Sequence, residues 1–306
     1  MAAVTKYSPE EFKKFLWSIL KKGHIKDSFI EKILAPPNLA EFKIAFTHWS
    51  ADHIKNYERY EYLGDVIINE FVVSYINKRY PLITSVKWLT RIKHNLVGNK
   101  FLARLTEKEG LLKYVIYGKE VQELIANKDK NIKGQTEYKR HYYAMLEDIM
   151  EAFFGCLVLT IEKLGKKHGT AIELANNILQ GFFDAVDIPL GYEDVFDYVT
   201  RTKELYEFKQ KGLLWPFDQA FETRKIEDGI FEVSIYGWPL GDKTPIDKNM
   251  VKLATETGDK KDAKQTVCKR ALEILKTKYG ITELVPDKYE IIPKTKWSNV
   301  KKADAE

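Results

Sequence analysis

Residues 57–65 read YERYEYLGD. Glu58, Glu61 and Asp65 stand three and four residues apart, a spacing that puts three carboxylates on one stripe of an α-helix. Like charges stacked in this way cost a helix a few tenths of a kcal/mol per pair, roughly, so helix stability is not what they serve. Tyr57, Tyr60, Tyr62, Leu63, Val66, Ile67, Ile68, Phe71 and Val72 around them are mostly apolar, which predicts a largely buried helix. Acidic groups on such a helix need cations, and a hard divalent metal is the simplest source.

A second acidic pair lies in LEDIMEAFFG, where Asp148 and Glu151 are one helical turn apart within the apolar run Ile149, Met150, Phe153, Phe154, Leu157, Val158. Either set alone reads equally well as a solvated face paired with Lys and Arg. Two apolar helices that each carry carboxylates point instead to one oxygen-rich site suited to Mg²⁺.

These segments carry a resemblance. ERYEYLGDVIINE resembles the ribonuclease III signature, an ERLEFLGD-type string, and Asp148, Glu151, Ala152 and Gly155 match that family's later D-x-x-E-A-x-x-G pattern. FTHWS at 46–50 is similar to its Thr-His-x-Ser stretch, and LTRIKHNLVGNKFLARL at 89–105 to the helix between the acidic segments, so the likeness covers roughly residues 40–165. It implies that Glu61, Asp65, Asp148 and Glu151 bind the metal, while Glu58 holds the first acidic position, used for substrate or dimer contacts. The implied reaction is Mg²⁺-dependent hydrolysis of double-stranded RNA to 5′-phosphate and 3′-hydroxyl ends, with Mn²⁺ as a substitute ion and no small-molecule cofactor. A duplex has two strands and the chain one acidic set, so the resemblance also implies a homodimer. Tyr60, Tyr75, Tyr80 and Trp88 are aromatics available to such an interface, although core packing is the commoner use of each.

The chain also departs from the family. Tyr60 and Tyr62 stand for the usual Leu and Phe, and Val86 and Lys87 fall where many relatives carry an accessory acid. The polar stretch 118–142 reads as a surface insertion, a solvated loop whose cations are available to RNA.

Helical spacing dominates up to about residue 186: 9–22, 27–34 before Pro36-Pro37, 57–79 stopped by Pro81, 86–110, 143–164 and 169–185. DIPLGYED, at 187–194, marks a linker over 187–193. Beyond it come a helix at 199–212, two alternating strands around Glu227-Asp228-Gly229, a third strand near 250–256 and a helix over 260–278. The expected domains are a mainly α ribonuclease III-like unit over 1–186, a small α-β-β-β-α unit over 194–280, and a charged tail over 281–306 that reads as flexible.

The α-β-β-β-α order resembles a double-stranded-RNA-binding domain. TGDKKDAKQTVCKRALEIL at 257–275 is similar to its G-x-x-KK-x-AK-x-x-A pattern, which implies phosphate contacts for Lys260, Lys261 and Lys264 at a helix start. Leu205 and Glu207 match an L-x-E position used in the minor groove. The loop at 226–229 lacks the family's Gly-Pro-x-His, and 238–249 exceeds a tight turn, which predicts weak groove insertion and strongly salt-dependent binding.

Composition sets the outer bounds. The chain has 306 residues, 44% hydrophobic and 30% charged, with a net charge of +5, compatible with a polyanionic partner. Cys156 and Cys268 both sit in apolar helical stretches and read as buried thiols. No apolar signal core opens the sequence and the longest apolar run, near 152–161, is too short for a bilayer, so the expected location is intracellular, cytoplasmic or nuclear. Prenyl-transfer and phosphohydrolase chemistries would need D-D-x-x-D or His-Asp ligand pairs, and neither motif nor a Gly-rich phosphate loop is present. A catalytically silent relative that sequesters duplex RNA is the remaining alternative; such relatives lose acidic ligands, and all four are retained.

Overall fold

The computed structural model describes residues 7–127, 135–207, 216–237 and 251–283. It divides into two compact units, Met1–Ile188 and Pro189–Glu306.

In the first unit, α1 (Pro9–Lys22) opens on a capping box in which Ser8 and Glu11 satisfy each other's backbone N–H groups. α2 (Asp27–Ile33) follows, then α3 (Pro36–Ala45). The Pro36-Pro37 pair therefore starts a helix that the spacing alone does not predict, because a proline at the first helical position forfeits only an N–H that would be unpaired anyway. The signature helix is α4 (Glu58–Arg79). The expected 86–110 helix is two, α5 (Val86–Leu96) and α6 (Asn99–Lys108), broken where Gly98 takes an extended N-cap conformation.

The stretch 118–142 is not a plain solvated loop. It contains α7 (Lys119–Asn127) and the beginning of α8 (Gln135–Lys163), and residues 128–134 lie outside the described residues. Val121, Leu124 and Tyr142 from it close a small core with Ala103, Met145 and Leu146. α9 (His168–Asp184) completes the unit.

α8 is the central helix. Leu146, Ile149, Met150 and the run Ala152–Val158 are buried, and fully burying side chains of this size contributes about 1.5–3 kcal/mol each. α4 crosses α8 with no side chain between the backbones at two points. A Cβ on Gly64 would fall 1.8 Å from the Glu151 carbonyl oxygen, and one on Gly155 2.0 Å from that of Tyr60. This crossing is what brings the two acidic segments together.

The aromatics open to either an interface or the core resolve to the core, and one expectation about α4 needs correcting. Tyr60, Tyr75, Tyr80 and Trp88 are all buried in the core, where Tyr60 donates to Glu41 and Tyr75 to Asp184 (3.2 Å). Conversely, Tyr62 and Val66 are not part of a buried helix face: they are 82% and 59% exposed. An apolar run along a helix does not say which flank lacks a neighbour.

The second unit runs α10 (Tyr192–Val195), α11 (Tyr198–Glu207), β1 (Phe221–Glu227), β2 (Ile230–Gly237), β3 (Val251–Gly258) and α12 (Lys260–Tyr279). The strands form one antiparallel sheet in the order β1-β2-β3, and the Asp228-Gly229 turn uses the left-handed φ of Gly229 (72°). Val233 and Ile235 on one sheet face pack with Leu205 and Tyr206 of α11 and with Val267, Ala271 and Leu275 of α12. This is the helix–three strands–helix order that the resemblance implies. The end of the expected 199–212 helix, the long 238–249 connection and the tail from residue 284 lie outside the described residues. Cys156 and Cys268 are free and buried. Among the described residues no helix is long and apolar enough to cross a membrane.

Candidate active site

Of the four sequence-nominated ligands, the α4–α8 crossing brings Glu61, Asp148 and Glu151 together, with one carboxylate oxygen from each within 4.8 Å of the others. Glu151 is buried, at 6% exposure, and Glu61 and Asp148 are half-buried. Asp65 lies one helical turn beyond Glu61 on the exposed side of α4, where Asn69 donates to its Oδ1 at 2.7 Å. It stands outside the tight trio but its charge acts on Glu61 and Glu151. Glu58 is exposed at the first turn of α4, its N–H given to Asn56 Oδ1 (3.0 Å).

The electrostatics record the crowding. Burial, with the charges of Glu147, Asp65, Asp148 and Glu61, pushes the Glu151 carboxyl up to about 9. Burial and the charges of Asp148, Glu58 and Asp65 raise Glu61 to about 7. Asp148 is raised to about 6 by burial, held back by the hydrogen bond that Tyr57 donates to its Oδ2 at 2.9 Å. No described Lys or Arg forms an ion pair with these acids. A set made wholly of carboxylate oxygens, strained by its own charge, fits a hard divalent cation.

Two further residues belong here that were not nominated. Glu147, beside Asp148 and one turn before Glu151, is raised to about 7 by burial and by Asp148, Asp65 and Glu61. Its four-residue spacing from Glu151 was the available signal. Tyr57 lies inside the signature stretch, yet nothing in the sequence indicates that its hydroxyl meets a carboxylate 91 residues on.

In the second unit, Asp259 caps α12 by accepting from the Lys261 N–H (3.0 Å). Lys260 and Lys261 are exposed, whereas Lys264 is half-buried with its ammonium 4.2 Å from the Phe221 ring centroid. Glu207 is exposed at the end of α11, 3.8 Å from Lys203, and Leu205 belongs to the core.

Known proteins resemble this chain along most of its length. Residues 58–161 match the family model described as the ribonuclease III domain, so the acidic segments of both helices lie inside it. The chain is 30% identical over 295 residues to a putative ribonuclease 3 of Invertebrate iridescent virus 6, an alignment covering 92% of each chain. It is 28% identical to the ribonuclease 3 of Limosilactobacillus fermentum, over 74% of this chain and 82% of that one. The chain belongs to the ribonuclease III family, and is an enzyme of the ribonuclease class. Among solved structures, the nuclease domain of ribonuclease III from Campylobacter jejuni aligns with 56% of this chain and 98% of its own, with 18% identity and a TM-score of 0.38.

Proposed function

We propose that the chain is a Mg²⁺-dependent endoribonuclease that hydrolyses phosphodiester bonds of double-stranded RNA, leaving 5′-phosphate and 3′-hydroxyl ends, with Mn²⁺ able to replace Mg²⁺. The observation that carries this is the convergence of Glu61, Asp148 and Glu151 within 4.8 Å, in a chain of this family.

Glu61, Asp148 and Glu151 hold the ion, and Asp65 completes the set from the exposed side of α4. A bound divalent cation supplies a hydroxide-like nucleophile near neutral pH and stabilises the leaving oxygen of an in-line displacement. The protein's part begins with protons. In the metal-free state Glu151, titrating near 9, is protonated at neutral pH and Glu61, near 7, is partly so. These are protons that a divalent ion held by the set would displace, its charge offsetting part of the carboxylates' mutual repulsion. Glu151 is buried at the α4–α8 crossing, while the exposed flank at Glu58 and Asp65 leaves a face open to an RNA strand.

Lys260 and Lys261 at the start of α12 contact phosphates, with Lys264 behind them and Glu207 at the minor groove; A-form RNA offers shape, phosphates and 2′-hydroxyls rather than a readable major groove. Two copies act as a homodimer, one acidic set per strand, and the exposed Tyr62 and Val66 beside the carboxylates support a self-complementary contact there. The free thiols accord with work in a reducing compartment, the cytoplasm or nucleus.

The test is a labelled duplex incubated with the purified chain. Cleavage with Mg²⁺, none with EDTA, little on the single strand and 5′-phosphate ends are expected. Binding without cleavage in either Mg²⁺ or Mn²⁺ overturns the proposal.

A further inference from the structure

Residues 46–57 supply none of the carboxylates, yet the segment is tied down at both ends. Ile116 N–H donates to Phe46 O (2.8 Å), His48 N–H to Ile116 O (2.8 Å), and Tyr57 N–H to Thr47 O (2.9 Å). Between them, Ser50 N–H donates to His48 Nδ1 (3.0 Å), the Ser50 hydroxyl lies 2.8 Å from the same nitrogen, and Gly118 N–H donates to Ser50 Oγ (3.0 Å). The approach is close: a Cβ on Gly118 would meet the Ser50 carbonyl oxygen at 2.5 Å. The fixed imidazole packs edge-on against the Tyr57 ring, with centroids 5.5 Å apart at 71°. Tyr57 is buried and its hydroxyl reaches across to Asp148 Oδ2.

We propose that Tyr57 is a positioning residue: its hydroxyl holds the Asp148 carboxylate where it meets Glu61 and Glu151, and the 46–57 segment serves to hold the Tyr57 ring. This rests on the proposal that the trio binds a divalent ion. Where these carboxyls ionise without a cation they repel, and an unrestrained Asp148 relieves that repulsion by rotating away. Something must oppose that rotation. A Lys or Arg would do so only by pairing with the acid and cancelling the charge the ion requires. A phenolic hydroxyl donates one hydrogen bond, adds no charge and leaves the other lone pairs available. Partners of this kind behind a metal ligand set its orientation and its affinity.

The test uses the full chain and Mn²⁺ binding without RNA, followed by titration calorimetry, beside Mg²⁺-dependent cleavage. Tyr57→Phe keeps the ring and removes only the donor. It should raise the Mn²⁺ dissociation constant about tenfold, with a parallel rise in the Mg²⁺ needed for half-maximal cleavage. The rate at saturating Mg²⁺ should stay near wild type, which a general loss of structure would not allow. His48→Gln, which leaves the hydroxyl but loosens the ring, should weaken Mn²⁺ by about threefold, a smaller loss of the same kind. Asp148→Asn serves as the reference and should abolish Mn²⁺ binding. If Asp148→Asn abolishes binding while Tyr57→Phe binds as wild type, Tyr57 has no positioning role and the metal site stands. If Tyr57→Phe lowers the saturated rate without shifting either metal titration, the inference is likewise overturned. If Asp148→Asn binds Mn²⁺ normally, the metal-site proposal itself fails.

Discussion

Gly64 of α4 lies against the backbone of Glu151 on α8, so close that a single added methyl carbon would stand 1.8 Å from the Glu151 carbonyl oxygen. The same glycine precedes Asp65, so the residue that permits the crossing is part of the acidic signature. Gly64→Ala must push the helices apart against backbone that cannot yield. It should cost about 3 kcal/mol, the upper range of overpacking, and separate Glu61 from Glu151. Gly169→Ala in α9 meets nothing within 4 Å and should stabilise by about 0.4–1 kcal/mol. Thermal melts of the two variants, with cleavage assays, check the contrast.

The raised carboxyls make the metal-free protein sensitive to pH in a definite direction. Glu151 titrates near 9 and Glu61 and Glu147 near 7 when folded, against an ordinary value of 4.5. Below that ordinary value both states are protonated and the repulsion is absent. As pH rises toward 9 the unfolded chain ionises freely and the folded one does so at a cost, so stability falls across this interval. Melting temperature in EDTA should therefore decline from acid to alkaline pH. Added Mg²⁺ should restore it, and more so at the alkaline end. A Mg²⁺ effect independent of pH contradicts this.

Replacing Lys260 and Lys261 together by Gln should weaken duplex binding and lower the salt dependence by about one counterion per lysine. Both are exposed and Asp259, not either lysine, caps the helix, so α12 should remain folded. Binding measured across a salt series, with circular dichroism as a control, tests this.

Tyr62→Arg places a charge on an exposed aromatic and should shift the protein from dimer to monomer in analytical ultracentrifugation, without lowering the melting temperature of the monomer. An unchanged dimer removes Tyr62 from the interface.

Much of this was legible because the signature obeys the helical period and its two acidic runs are embedded in apolar helices. Of the four carboxylates that it singles out, Glu61, Asp148 and Glu151 come together and Asp65 stands outside the trio. What the pattern lacks is pairwise geometry. Tyr60 and Tyr62 are equally aromatic in the sequence, yet one is core and the other surface, because only one flank of α4 faces α8 and α3. The break at Gly98 hides within continuous apolar spacing, and Pro36 reads as a stop although it starts a helix. Tyr57 escapes the pattern for the same reason, since its partner Asp148 is brought near only by folding, whereas the spacing of Glu147 from Glu151 was legible.

The most direct measurement is Glu151→Gln, assayed for both cleavage and melting in EDTA. Removing a buried acid from a crowded cluster should raise the metal-free melting temperature at alkaline pH, while duplex cleavage falls about a thousandfold, the rate equivalent of roughly 4 kcal/mol. A variant that melts lower than the parent, or that cuts duplex RNA at the parent's rate, contradicts a metal-binding role for this carboxylate.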